Sequence, residues 1–217
     1  MDFVIKPSDP LFIPVKDTDK QFPVNSVYCV GRNYIAHSIE LGNDPSKPPL
    51  FFSKPSWTVK IIDNEIPYPE STSDFQHEVE LVIAMGSEKN IYGFAVGVDL
   101  TCRDLQFKAK KEGKPWFSAK VFYGSAPVSE IVSVDNNFEF SNLRIALTVN
   151  EELRQSILCG EMIWSPKKII NHLRDQVPLK AGDLIFTGTP SGVNKMIKGD
   201  KIHAEVSGFV ELDFRII

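Results

Sequence analysis

Three carboxylates carry the strongest chemical signal in this 217-residue chain. Glu78 and Glu80 lie two apart in His77-Glu78-Val79-Glu80-Leu81-Val82-Ile83-Ala84-Met85, and Asp99 follows the apolar run Gly93 to Val98. On a strand, Val79, Leu81, Ile83 and Met85 fall on one apolar face, and the two glutamates share the other with Val82 and Ala84. If the strand before Asp99 pairs with this one, the three acids converge. At about 4 Å and an effective dielectric of about 20, each pair of such charges repels by roughly 4 kcal/mol. A hard divalent cation removes that repulsion, and an all-oxygen donor set suits Mg²⁺ or Mn²⁺. The same residues are also consistent with an exposed strand edge, with Asp99 only supporting a helix N-terminus.

The surrounding elements have to bring these groups together. Period-2 alternation and turn residues predict strands over Ser26–Val30, Leu50–Ser53, Thr58–Ile62, Glu78–Met85, Phe94–Leu100, Leu143–Val149, Leu184–Thr187, Lys201–Val206 and Phe209–Ile216. One helix is expected from about Arg103 to Lys111, with Thr101 as N-cap and Asp104 in the capping-box position. A second starts after Ser165 with Pro166 at its first position and runs to about Gln176. A short third helix, Tyr34 to Leu41, follows Asn33 as cap. Strands outnumber helices and do not alternate with them, so the fold class is mostly β with a few helices (α+β). Residues 1–217 read as one catalytic domain, with 1–25 as an N-terminal extension packed on it.

Composition narrows the partners. A net charge of −4 argues against a nucleic-acid backbone or an anionic membrane. The basic stretch Lys108 to Lys114 has the pattern of a solvated helix face. Cys29, Cys102 and Cys159 are odd in number and form no CxxC pair, which suits free thiols in a reducing compartment. The segment Met1 to Pro10 lacks the apolar core of a signal peptide, and no later run has the length of a membrane span, so a cytoplasmic protein is expected. There is no G-x-S-x-G elbow, P-loop or G-x-G-x-x-G. Thr187-Gly188-Thr189-Pro190-Ser191-Gly192 forms a turn whose N–H groups could cradle an anion. His172 and His203 are more economically placed as packing or surface residues, and His77 reads equally as a packing residue or as a partner behind the ligands.

Several further motifs occur in one order: Gly31-Arg32-Asn33-Tyr34 with His37, Lys54-Pro55-Ser56, His77-Glu78-Val79-Glu80-Leu81, Asp99-Leu100-Thr101-Cys102-Arg103-Asp104, Pro115-Trp116 with Ala119-Lys120, and Thr187-Gly188-Thr189-Pro190. The series resembles the fumarylacetoacetate hydrolase family, in particular its short acylpyruvate hydrolase and oxaloacetate decarboxylase type, from about Ser26 to the C-terminus. The resemblance implies a mixed β-roll, a homodimer, and Mg²⁺ (or Mn²⁺) on Glu78, Glu80 and Asp99. It also implies a mobile helix at His37 and Glu40 that closes over a small-molecule substrate. Lys120, Arg103, Gln106 and Thr189 match pocket-lining positions; Arg32 and Lys54, carried by two of the motifs, join them as substrate-binding candidates. The tight link between Met85 and Tyr92 departs from the pattern, since relatives insert a short helical excursion there.

The chemistry so implied is that of a 2-oxo acid whose carboxylate and oxo oxygens chelate the cation, which stabilises an enolate. Acylpyruvate C–C hydrolysis, oxaloacetate decarboxylation and the isomerisation or hydration of hydroxylated hepta-dienedioates all use that stabilisation. His37 and Glu40, three apart on a helix, would form a base to activate water. Lys120 would place a positive charge near the enolate or donate a proton to it. A non-catalytic metal- or acid-binding β-domain is the alternative of a different class.

Overall fold

The computed structural model of the chain describes residues 3–6, 9–42, 44–61 and 65–217. In chain order the first half forms β1 (Phe12–Pro14), β2 (Gln21–Pro23), β3 (Val27–Gly31), α1 (Ile35–Glu40), β4 (Leu50–Lys54), β5 (Val59–Ile61), β6 (Glu65–Ile66), β7 (Phe75–Gln76), β8 (Val79–Met85) and β9 (Ile91–Val98). The second half forms β10 (Thr101–Cys102), α2 (Arg103–Lys111), α3 (Phe117–Lys120), β11 (Ala126–Val128), β12 (Val132–Ser133), β13 (Arg144–Val149) and β14 (Glu152–Leu158). It ends with α4 (Pro166–Arg174), β15 (Leu184–Phe186), β16 (Lys201–Val206) and β17 (Val210–Ile216). The main sheet has the order β4-β3-β15-β8-β9-β11-β5, with β12 also paired to β9; the second sheet runs β14-β13-β16-β17-β6. Parallel pairs (β3 with β15, β5 with β11, β6 with β17) sit among antiparallel ones, giving the expected mixed, mostly-β roll. Of the described helices, none is long and apolar enough to cross a membrane.

Strand β8 sits in the middle of the main sheet and is buried along its whole length. Its alternation divides the interior in two. Val79, Leu81, Ile83 and Met85 enter a large core with Ile145, Leu147, Ile202, Ala204 and Phe214 of the second sheet. Val82 and Ala84 face a smaller core with Val27, Cys29, Val128 and Phe186, closed by Ile13, Val15 and Phe22 from the β1–β2 pair. Burying a side chain of this size fully contributes roughly 1.5–3 kcal/mol. Gly97, opposite Glu80 on β9, keeps the second face open: a Cβ there would stand 2.8 Å from Phe186 and 2.7 Å from Val82.

Several local expectations are corrected. Thr101 does not cap α2: Cys102 is the N-cap residue, without a side-chain cap bond, and Thr101 Oγ1 donates to Asp99 O, two residues back, at 2.9 Å. Asn33 does not cap α1 either; its amide donates to the carbonyls of Trp164 and Thr187 and accepts from Trp164 N–H, tying three loops together. Ser165 is the N-cap of α4 as expected, without a side-chain bond to the helix. The hairpin β13–β14 turns through Asn150 and Glu151 at φ 51° and 69°, the left-handed pair of a type I′ turn, here without glycine. The predicted strand Thr58–Ile62 is observed as Val59–Ile61, with Ile62 outside the described residues. Of the N-terminal segment, Met1, Asp2, Pro7 and Ser8 also lie outside them. The three cysteines are free and buried.

Asp104, expected in a capping box, instead ties α2 to the preceding loop. It accepts from Thr72 Oγ1, from Ser73 N–H at 2.9 Å and from Ser73 Oγ at 3.1 Å. Partial burial pulls its carboxyl up, but the Thr72 and Ser73 hydrogen bonds win and hold it below the ordinary aspartate range. Asp104→Ala should therefore lower stability by about 1–2 kcal/mol at pH 7. A depressed folded-state pKa stabilises above the unfolded value and ceases to do so as pH falls through the folded one. The gap in Tm between wild type and variant should thus close below about pH 4.

Candidate active site

The pairing of β8 with β9 places Val79 opposite Val98, and Asp99 N–H donates to Glu78 O at 2.8 Å. The acid that ends β9 is thereby locked against the first glutamate. Glu78, Glu80 and Asp99 are buried, and one carboxylate oxygen from each lies within 4.8 Å of the others. The exposed-edge reading of the two glutamates is thus excluded.

Two buried lysines and an arginine surround the cluster. Lys120, brought in by the short helix α3, reaches Glu78 Oε2 at 2.7 Å, Asp99 Oδ2 at 2.6 Å and Thr101 Oγ1 at 2.7 Å. These contacts fill all three ammonium hydrogens. Lys54, at the end of β4, lies 2.7 Å from Asp99 Oδ1 and donates to Ser125 O at 2.7 Å. Lys54 and Lys120 thus each hold one oxygen of the Asp99 carboxylate. Arg103 binds Gln76, Gln106 and Glu78 with one guanidinium.

The two glutamates consequently differ. Burial raises the Glu78 carboxyl, but Lys120 and then Arg103 overcome it and hold the group well below the usual range. Lys120 has its own affinity for the proton raised: burial opposes this, and Asp99 and Glu78 outweigh it. Glu80 takes one hydrogen bond from Gly188 N–H at 2.7 Å, and burial, followed by Asp99 and Glu78, pushes its carboxyl well up. Gly188 adopts φ +97°, and a Cβ there would stand 2.7 Å from Asn33 Cβ. Glycine is therefore required where the loop after β15 meets Glu80.

Helix α1 lies over this cluster. His37 is buried, and its Nδ1 is 2.8 Å from Glu40 Oε2; Glu40 Oε1 accepts from Gly192 N–H at 3.1 Å. With Glu40 on Nδ1, Nε2 is the other ring nitrogen available for chemistry. His37, Glu78, Glu80, Asp99, Arg103, Gln106, Lys120, Arg32 and Thr189 all line one cavity of about 100 Å³. Phe52, Phe107, Trp116 and Leu41 supply its apolar wall. Lys54 and Glu40 stand behind the lining, touching Asp99 and His37.

Two residues were not legible as members of the site. Lys110, expected on a solvated face, lines the cavity, and its ammonium is made less basic by burial, Arg32 and Arg103. Gln155, on β14 of the second sheet, bonds both His77 and Thr189. Arg32 holds φ 70°, unusual for a non-glycine residue, and its buried Nε has no hydrogen-bond partner among the described residues. The remaining histidines do not line the cavity: His172 packs edge-on against Trp164 at 4.7 Å, and His203 pairs with Asp213 at 2.9 Å on the exposed face of β16.

This geometry belongs to a known class. Residues 26–217 match the fumarylacetoacetate (FAA) hydrolase C-terminal family, and the chain belongs to it. Among its relatives, human mitochondrial oxaloacetate tautomerase FAHD1 is 35% identical over 201 residues, covering 88% of this chain and 91% of that protein. The crystal structure of fumarylpyruvate hydrolase from Pseudomonas aeruginosa in complex with Mn²⁺ and pyruvate superimposes with a TM-score of 0.94 at 35% identity, covering 100% of this chain and 99% of the other. A 5-carboxymethyl-2-hydroxymuconate delta-isomerase from Mycobacterium smegmatis superimposes with a TM-score of 0.78 at 26% identity, covering 91% of this chain and 80% of the other.

Proposed function

We propose that the chain binds one divalent cation, Mg²⁺ or Mn²⁺, on Glu78, Glu80 and Asp99 and hydrolyses the C–C bond of small acylpyruvates. The observation that carries this reading is the His37–Glu40 pair lying over a buried acid cluster in which Glu80 is held by the Gly188 N–H and, among the described residues, by no ion pair. The donor set fits such an ion. It is all oxygen, and its atoms are close enough to share one site. When bound, the cation supplies a Lewis acid for the 2-oxo group.

The chain's own residues account for the other steps. Arg103, Gln106 and Thr189 orient the substrate's carboxylate and oxo oxygens, while Phe52 and Trp116 keep bulk water away. Glu40 holds the Nδ1–H of His37, so Nε2 takes a proton from water as its oxygen adds to the acyl carbonyl. The C–C bond then breaks, its electron pair passes into the 2-oxo acid fragment beside the Lys120 ammonium, and the proton on His37 is returned to the carbon released. The products are pyruvate and a carboxylic acid. Arg32 and Lys110 give the mouth positive charge that favours substrates with a second carboxylate.

Oxaloacetate tautomerisation is the second reading, favoured by similarity to the human tautomerase over nine-tenths of that protein. It needs the same binding groups and a proton carrier but no attacking water. The test is turnover of fumarylpyruvate, acetylpyruvate and oxaloacetate with Mg²⁺ and again with chelator, by wild type and His37→Ala. Hydrolysis should fall by about 10²- to 10⁴-fold in the variant, with decarboxylation of oxaloacetate much less affected. Equal losses in both would remove His37 from water activation, and metal uptake without consumption of any 2-oxo acid would leave a binding domain.

A further inference from the structure

Gln155 belongs to none of the motifs that mark the site, yet it is 1% exposed and makes four hydrogen bonds beneath it. Its amide is held at both ends by backbone groups whose roles cannot be exchanged. Oε1 accepts from Val79 N–H at 3.1 Å, and Nε2 donates to Pro190 O at 2.9 Å. A flipped amide would set donor against donor and acceptor against acceptor, so the orientation is fixed. Each remaining contact then has one meaning. His77 Nδ1, 2.9 Å from Oε1, is the protonated ring nitrogen. Thr189 Oγ1, 2.9 Å from Nε2, is an acceptor. A hydroxyl has a single hydrogen, and this one is not engaged by Gln155.

We propose that Gln155 is a positioning residue that sets the polarity of the Thr189 hydroxyl, fixing it as a hydrogen-bond donor to an oxygen of the bound 2-oxo acid. The proposal rests on the oxo-acid reading of the cavity that Thr189 lines. By occupying the acceptor side of Oγ1, Gln155 leaves the O–H for the ligand, so a side chain on the second sheet tunes recognition in a site built on the first.

The test is a double-mutant cycle of Gln155→Met and Thr189→Val, read by calorimetric binding of pyruvate to the Mn²⁺-loaded protein. Gln155→Met should weaken pyruvate binding about tenfold with Mn²⁺ affinity unchanged, and should have less than about a twofold effect in the Val background. Equal effects in both backgrounds would overturn the proposal. A second measurement needs no variant to fold: ¹⁵N NMR of the metal-free wild type should show His77 with Nε2 unprotonated. The opposite tautomer requires a reversed Gln155 amide and also overturns it. Should wild type bind no pyruvate at all, the oxo-acid reading fails, and the His77 tautomer still reports the orientation of Gln155.

Discussion

Glu80→Gln should abolish binding of Mg²⁺ or Mn²⁺ and the activity with it, while leaving the metal-free protein at least as stable as before. Glu80 is buried with two other carboxylates within 4.8 Å and, among the described residues, accepts only the Gly188 N–H. Its negative charge is useful to a cation and unfavourable without one. At roughly 4 kcal/mol per charge pair at 4 Å and an effective dielectric of about 20, losing it should weaken binding by at least about 10³-fold. A neutral amide keeps the Gly188 bond and removes the repulsion from Asp99 and Glu78. Glu78→Gln, two residues away on the same face, should behave oppositely, because it takes from Lys120 and Arg103 the carboxylate charge they share. Breaking a buried pair of this kind is destabilising by about 3–5 kcal/mol. Titration calorimetry with Mn²⁺ and thermal melts without metal test both substitutions. A Glu80→Gln protein that keeps its Mn²⁺ affinity, or melts far below wild type, contradicts the assignment.

Lys120→Met should damage both stability and catalysis while sparing the ligands themselves. Lys120 is 2% exposed, and its ammonium touches Glu78, Asp99 and Thr101. Without it the metal-free chain retains two buried acids short of a partner, and a loss of about 3–5 kcal/mol is expected. Added Mg²⁺ should restore much of that stability by supplying charge to the same acids. It should not restore turnover, because the positive charge beside the developing anion is gone; removal of one such stabilising group lowers kcat by about 10²- to 10³-fold. Melting temperature and kcat measured with and without metal separate the two roles. Activity within tenfold of wild type in the loaded variant would reduce Lys120 to a structural counter-ion.

What was legible in the sequence is what period-2 alternation controls. The two faces of Val79–Met85, the end of β9 at Asp99 and the pairing of His37 with Glu40 follow from spacing, because neighbours on a strand or helix are fixed by its geometry. The caps were less legible. Thr101 and Asn33 have the residue types of N-caps, but their polar atoms meet stronger demands from Lys120 and from the Trp164 and Thr187 backbones. The hairpin at Asn150-Glu151 lacks the glycine that usually marks such a turn, so β14 was missed, and Gln155 with it. Lys110 was misjudged because a run of lysines looks the same whether or not one of them faces a cavity. The motif Thr187-Gly188-Thr189-Pro190 suggested an anion-binding turn but not that the Gly188 N–H would bond Glu80.

The parallel pairing of β3 with β15 sets an order of assembly. Val27 comes to rest beside Leu184, and β15 then separates β3 from β8 in the finished sheet. Until residues 184–186 leave the ribosome, both flanking strands present open edges, the state most exposed to wrong pairing. Closing so distant a contact is slow, and the residues that follow immediately, Thr187 and Gly188, are those that bond Asn33 and Glu80. The strand that fills the gap in the sheet is therefore continuous with the residues that close the site.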